Sequence, residues 1–125
     1  MVSQRRILVV DDELGFGEMV KWNLEASGPY EVKVENHGRS ALNAVRTFHP
    51  DLIFLDIAMP DLEGSEVARR IKEDGSLKDL PIVFLTGTVT AEEVGPSGGI
   101  IGGQYFLAKP VSVTDLISCI QKNIR

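Results

Sequence analysis

Two adjacent aspartates, Asp11 and Asp12, close the apolar run ILVV at residues 7–10. Like charges this near one another repel, and burial strengthens the repulsion. A fold keeps such a pair where a cation, a lysine or a shared proton offsets the cost. Polar residues also follow the other apolar runs. Asp56 follows LIFL (52–55), Thr86 and Gly87 follow IVFL (82–85), and Ala108, Lys109 and Pro110 follow YFL (105–107). If these runs are parallel strands, all of these residues lie along one edge of the sheet. Three carboxylates, a hydroxyl and a lysine would then share a pocket.

Each residue also has an ordinary explanation. An aspartate at a strand end often forms a turn or caps a helix. A threonine there is commonly a turn residue, and a lysine before proline is commonly exposed. The convergence outweighs these readings, because every central strand ends in a group that a single site would use. A set of carboxylates with one lysine suits a hard divalent cation such as Mg2+, which takes oxygen ligands and keeps waters and phosphate oxygens. No histidine or cysteine falls at these strand ends, which argues against Zn2+. His37 and His49 fall at element ends on the other side of the pattern and read as surface histidines. A carboxylate beside such a cation can attack phosphorus to form an aspartyl phosphate. Lys109 would then meet a phosphoryl oxygen as a point charge, and Thr86 would donate a hydrogen bond.

The elements that must position these groups follow from periodicity. ILVV, LIFL and IVFL are continuously apolar, as strands covered on both faces are. YEVKV (30–34) alternates and suits a strand nearer an edge, and YFL makes a short fifth strand. Phe16, Met19, Val20 and Leu24 form a helical stripe closed by Gly28. Ala41, Ala44, Val45 and Phe48 form another, ending before Pro50. Val67, Ala68 and Ile71 form a third, ending near Gly75. Leu116, Ile117, Ile120 and Ile124 form the last, introduced by Ser112 with Asp115 three residues on. Strand–helix alternation of this kind predicts an α/β domain built on a parallel sheet. The segment TVTAEEVGPSGGIIGGQ departs from the pattern. Its glycines predict a short helix over 90–94, capped by Thr90 with Glu93, and then an irregular loop.

Composition sets wider bounds. The chain has 125 residues, 43% of them hydrophobic and 25% charged, which suits one domain with one core. A net charge of −5 argues against direct nucleic-acid binding. The lone cysteine, Cys119, allows no internal disulfide and reads as a small hydrophobe in a reducing compartment. No apolar run approaches the ~20 residues of a membrane span. The start, MVSQRRILVV, is too short an apolar run for a signal peptide, and aspartates interrupt it at once. A cytoplasmic location is the expectation, with no membrane partner.

VVDDE, LDIAMPDLEG, LTG and LAKP, in this order and spacing, resemble the receiver domain of bacterial two-component response regulators. The resemblance covers essentially the whole chain. It implies a single receiver domain over residues 1–125. The implied fold is a three-layer α/β/α sandwich of flavodoxin-like (βα)5 topology, with five parallel strands and a shortened or irregular fourth helix. It implies that Asp56 accepts the phosphoryl group. Asp12 would bind Mg2+ (or Mn2+ in its place) directly and Asp11 largely through water, with Asp56 and the backbone carbonyl of Ile57 completing the protein ligands. Thr86, Lys109, Gly87 and Ala58 would surround the phosphoryl group. Thr86 and Phe106 would act as the switch pair, and Pro110 would follow a cis peptide. Met59-Pro60 and Gly64 fit the loop after the acceptor. The implied partners are a sensor histidine kinase or histidine phosphotransfer protein and a downstream protein target. Such a domain assists its own phosphorylation and turns over no external substrate, so it is not an enzyme in the ordinary sense. Trp22 lies off the first helical stripe. It reads as partly buried against a neighbour, or else as a contact for a kinase helix.

Three alternatives compete. A phosphohydrolase with an aspartyl-phosphate intermediate generally needs an acid two residues past the nucleophile, and Ala58 stands there. A flavin- or nucleotide-binding module should carry a Gly- or Ser/Thr-rich phosphate loop after the first strand, where this chain has Asp11-Asp12-Glu13. A degenerate receiver serving only as an interaction scaffold is opposed by the complete acidic, threonine and lysine set.

Overall fold

A computed structural model describes residues 4–87, 95, 98–101, 104–109 and 112–124. The strands are β1 (Arg5–Val10), β2 (Tyr30–Glu35), β3 (Leu52–Asp56), β4 (Ile82–Thr86), β5 (Gly99–Ile101) and β6 (Gln104–Ala108). They form one sheet in the order β2-β1-β3-β4-β6-β5. All neighbouring pairs are parallel except β5–β6, which is antiparallel. Helices α1 (Leu14–Ser27), α2 (Ala41–Phe48), α3 (Gly64–Glu73) and α4 (Val113–Asn123) connect or follow the strands.

Alternate residues of the central strands feed two cores. Ile7, Val9, Leu52, Phe54, Val83 and Leu85 pack with Val20 and Leu24 of α1 and with Leu116, Cys119 and Ile120 of α4. Leu8, Val10, Ile53, Leu55, Ile82 and Phe84 pack with Ala41 and Val45 of α2 and with Val67 and Ile71 of α3. A strand covered on both faces has no polar-facing positions, which is why these runs read as continuously apolar. The alternating YEVKV segment is the edge strand β2.

Helix ends follow local chemistry. The Asp115 amide donates to Ser112 Oγ at 3.1 Å, which starts α4. His49 ends α2 in the left-handed region (φ 54°), and its amide donates to the Val45 carbonyl.

Three expectations need correction. The sheet has six strands rather than five, because Gly99–Ile101, within the glycine-rich segment read as an irregular loop, pairs with β6. The local reason is Gly98, which has φ +87°. A Cβ there would lie 2.7 Å from the Phe106 carbonyl oxygen, so a larger residue would hold β5 off its partner. The second correction concerns α1. Its buried row runs Gly17, Val20 and Leu24, with Phe16 partly buried beside it. Met19 is displaced from that row and is exposed. Trp22 falls roughly 180° from the row's centre at 100° per residue, and it is 78% exposed rather than partly buried. The third concerns His37, which lies just past the carboxyl end of β2, on the same sheet edge as Asp11. The expected short helix over 90–94 and the cis peptide before Pro110 lie outside the described residues.

Burial pushes the Cys119 thiol up to about 12, and the side chain is fully covered. A disulfide-exchange reagent at mildly alkaline pH should therefore leave the native chain unlabelled. It should modify the thiol once guanidinium unfolds the protein. Rapid labelling of the native state would contradict this packing of α4.

Candidate functional site

The register brings four strand ends together. Val10 pairs with Leu55, Asp56 with Leu85, and Thr86 with Ala108. Asp11, Asp56, Thr86 and Lys109 therefore reach the same edge within a residue of one another. Carboxylate oxygens of Asp11, Asp12 and Asp56 lie within 4.8 Å of each other. Asp11 is fully buried, Asp56 and Thr86 are buried, and Asp12 is half-buried.

Lys109 is the cation of this cluster. Its Nζ lies 2.7 Å from Asp11 Oδ2, 3.0 Å from Glu13 Oε1 and 4.0 Å from Asp56 Oδ2. The same ammonium sits 4.6 Å from the centre of the Phe16 ring, a cation–π contact. Burial works against the charge of Lys109, but Asp11 and Glu13 hold its pKa above the ordinary value. The backbone amide of Lys109 donates to the Thr86 carbonyl at 2.9 Å, tying the ends of β4 and β6 together.

The two buried aspartates are held differently. Asp11 Oδ1 accepts the Glu13 amide at 2.9 Å, and Asn36 Nδ2 donates to the Asp11 carbonyl at 3.0 Å. Asp11 Oδ2 meets the Lys109 ammonium at 2.7 Å, a charge-assisted contact, and among the described residues no donor reaches it in regular hydrogen-bond alignment. Asp56 Oδ1 accepts the Ala58 amide at 3.3 Å. Burial and then the charge of Asp11 push the Asp56 carboxyl up to about 6, against the pull of Lys109.

The loop after β3 is fixed by two close contacts. The Gly64 amide donates to the Ile57 carbonyl at 2.9 Å. A Cβ at Gly64 would lie 2.3 Å from the Asp56 carbonyl oxygen, so α3 starts directly against the end of β3. Asp61 in this loop accepts the amides of Gly38 and Arg39, each at 3.1 Å, which braces the turn after β2.

Each site residue read from the sequence can be located among the described residues except Pro110. Asp11, Asp12, Asp56 and Lys109 converge. Ala58 reaches Asp56 through its amide. Gly87 is exposed, with no atom within 4 Å of a Cβ built there. Phe106 is half-buried and tilted against Phe84, with ring centres 5.4 Å apart. Sequence reasoning assigned no part to Glu13 or Phe16. Glu13 is exposed, and nothing in its position announces that it reaches Lys109. Phe16 read as an ordinary member of the α1 stripe. His37 is exposed and borders a shallow cavity with Asp12, Asn36 and Pro60, outside the carboxylate cluster.

Three carboxylates with a single lysine among the described residues to offset them suit a hard divalent cation. The Ile57 carbonyl keeps a second lone pair beside the one that Gly64 occupies. The donor set is all oxygen, as Mg2+ and Mn2+ prefer.

Comparisons with known proteins agree with this geometry. The family model described as response regulator receiver domain matches residues 7–121. The chain is 35% identical to the response regulator MprA of Mycolicibacterium vanbaalenii and 36% identical to that of Mycobacterium leprae, in each case over 96% of its length. It spans about half the length of these relatives, 50% and 51%. Among solved structures it is similar to the chemotaxis response regulator CheY4 of Vibrio cholerae, with a TM-score of 0.81 and 28% identity. That match covers 98% of this chain and 100% of the other. It is also similar to the N-terminal domain of a response regulator receiver protein from Methanoculleus marisnigri, with a TM-score of 0.71 and 31% identity. That match covers 96% of each chain. The neighbours share the flavodoxin-like α/β fold.

Two variants test the site. An acid whose folded pKa is raised stabilises the fold below its unfolded pKa and loses that contribution as pH rises through the folded value. For Asp56 the window runs from the ordinary 3.8 to about 6. Without divalent cations, Asp56→Asn should raise stability above pH ~6 by up to about 3 kcal/mol, and the gain should fade towards pH ~4. Urea titration across this range would check it. Gly64→Ala should destabilise by more than about 2 kcal/mol, because the new methyl overlaps backbone rather than a flexible side chain. Thermal melting would reveal an unchanged protein if that contact were unimportant.

Proposed function

This chain belongs to the response regulator receiver domain family, and on that premise we propose that it is a phosphorylation-controlled signalling switch with Asp56 as phosphoryl acceptor. The observation that carries this reading is the convergence of Asp11, Asp12 and Asp56 with Lys109 at one sheet edge.

Asp11, Asp12, Asp56 and the Ile57 carbonyl would hold Mg2+, or Mn2+ in its place. When bound, the ion would supply positive charge against the phosphoryl oxygens. The donor is a phosphohistidine on a sensor kinase or phosphotransfer protein. An Asp56 carboxylate oxygen bonds to phosphorus while the phosphorus–nitrogen bond breaks. The electron pair returns to the imidazole nitrogen, which takes up a proton. Lys109 offsets charge on one phosphoryl oxygen, and the Thr86 hydroxyl and the amides of Ala58 and Gly87 donate to others. The domain assists its own modification and turns over no separate substrate. Leu14, Met19 and Trp22 are exposed apolar residues of α1, the helix that follows Asp11 and Asp12, and suit contact with a helical donor.

The acquired charge then shifts a pre-existing equilibrium in residues 86–110. Thr86 and Phe106 move together, and Phe106 repacks from its contact with Phe84. A downstream protein reads the altered surface. Nucleic acid and membrane are not direct partners of this domain, and a cytoplasmic setting matches the kinase class.

Incubation with radiolabelled acetyl phosphate and Mg2+ should give acid-stable, base-labile label on the chain. Asp56→Asn should abolish it, and chelation of the divalent cation should reduce it by at least about tenfold. Persistent labelling of Asp56→Asn would remove Asp56 as the acceptor. A wild-type chain that takes no label from acetyl phosphate or a kinase would favour the scaffold alternative.

A further inference from the structure

The close partners of the Lys109 ammonium among the described residues come from a single stretch at the start of α1. Asp11 Oδ2 lies at 2.7 Å, Glu13 Oε1 at 3.0 Å and the Phe16 ring centre at 4.6 Å. Asp56 Oδ2, where the phosphoryl group of the proposed reaction would be attached, is farther away at 4.0 Å. The resting lysine is therefore held towards α1. An ammonium has three donors, and it surrenders a partner when it turns to a new oxygen.

These partners are not equally able to let go. Asp11 is fully buried, and Phe16 is anchored in the core beneath α1. The Glu13 side chain is 66% exposed, and it makes a directed hydrogen bond to Lys109. Glu13 precedes α1 but makes no side-chain cap for that helix. Its amide, not its carboxylate, supports Asp11. The carboxylate is thus free of any other structural duty among the described contacts.

We infer that Glu13 is a positioning residue for Lys109: its carboxylate latches the lysine in the resting state and competes with the phosphoryl group for it. This inference rests on the reading of Asp56 as the acceptor. Contact with Glu13 lowers the fraction of molecules in which Lys109 can meet an incoming phosphoryl oxygen. Removing the carboxylate's charge releases the lysine and leaves the backbone support of Asp11 intact. The effect passes through Lys109, which separates it from a general repulsion between Glu13 and an anionic donor.

The experiment is a double-variant cycle read by incorporation of radiolabelled acetyl phosphate in the presence of Mg2+. Glu13→Gln should label about two- to fivefold faster than wild type, the range expected for loss of one exposed charged contact. In a Lys109→Gln background the same substitution should change the rate by less than about 1.5-fold, because no ammonium remains to be released. An unchanged or slower Glu13→Gln rate overturns the inference. Equal acceleration in both backgrounds also overturns it, since the charge would then act on the donor directly. Asp56→Asn run alongside separates the two readings. Label lost in Asp56→Asn with no effect of Glu13→Gln removes the latch alone. Label retained in Asp56→Asn removes the acceptor assignment itself.

Discussion

Three carboxylates within 4.8 Å, two of them buried, make a cluster that resists its own formation. The fold holds it by making the positions unavoidable. Strand registers set the chain ends, and the cores on both faces of the sheet set the registers. Asp56 shows the resulting tension in a carboxyl pushed up to about 6. Lys109 relieves part of it from the far strand, and its backbone tie to Thr86 makes that relief a property of two strands rather than of one side chain. The remaining deficit of positive charge makes the pocket receptive to a divalent cation.

The same features that bury the cluster made it readable. A strand covered on both faces leaves a continuous apolar run with a sharp polar end, and the ends of parallel strands coincide in space. Asp11, Asp56, Thr86 and Lys109 were therefore legible as one site without any knowledge of distances. The helices were legible because α2, α3 and α4 each bury a simple stripe. What escaped detection depended on fine rotation and on contacts between distant segments. The rotation of α1 decides that Met19 and Trp22 face outward, and the spacing of apolar residues leaves that rotation open to within a position. Glu13 reaches Lys109 across 96 positions of sequence, and no local pattern encodes such a pair.

The β5 strand illustrates the limit of propensity. Its flanking glycines argue against regular structure when each is taken alone. In the fold, the φ of +87° at Gly98 turns the chain so that Gly99 meets Phe106. A tertiary partner thus overrides composition. It also alters the sheet's outer margin next to Phe106.

The contact between Gly64 and the Asp56 carbonyl has a mechanical meaning. On that side Asp56 is clamped against the start of α3, with no slack to take up. Across the pocket stand the ends of β4 and β6, a parallel ladder that the Lys109 amide extends to the Thr86 carbonyl, with the half-buried Phe106 alongside. The pocket therefore resembles a vice with one fixed jaw. A charge added at Asp56 would press against backbone on the α3 side, so movement would fall on the opposite side, where Phe106 is only half-buried.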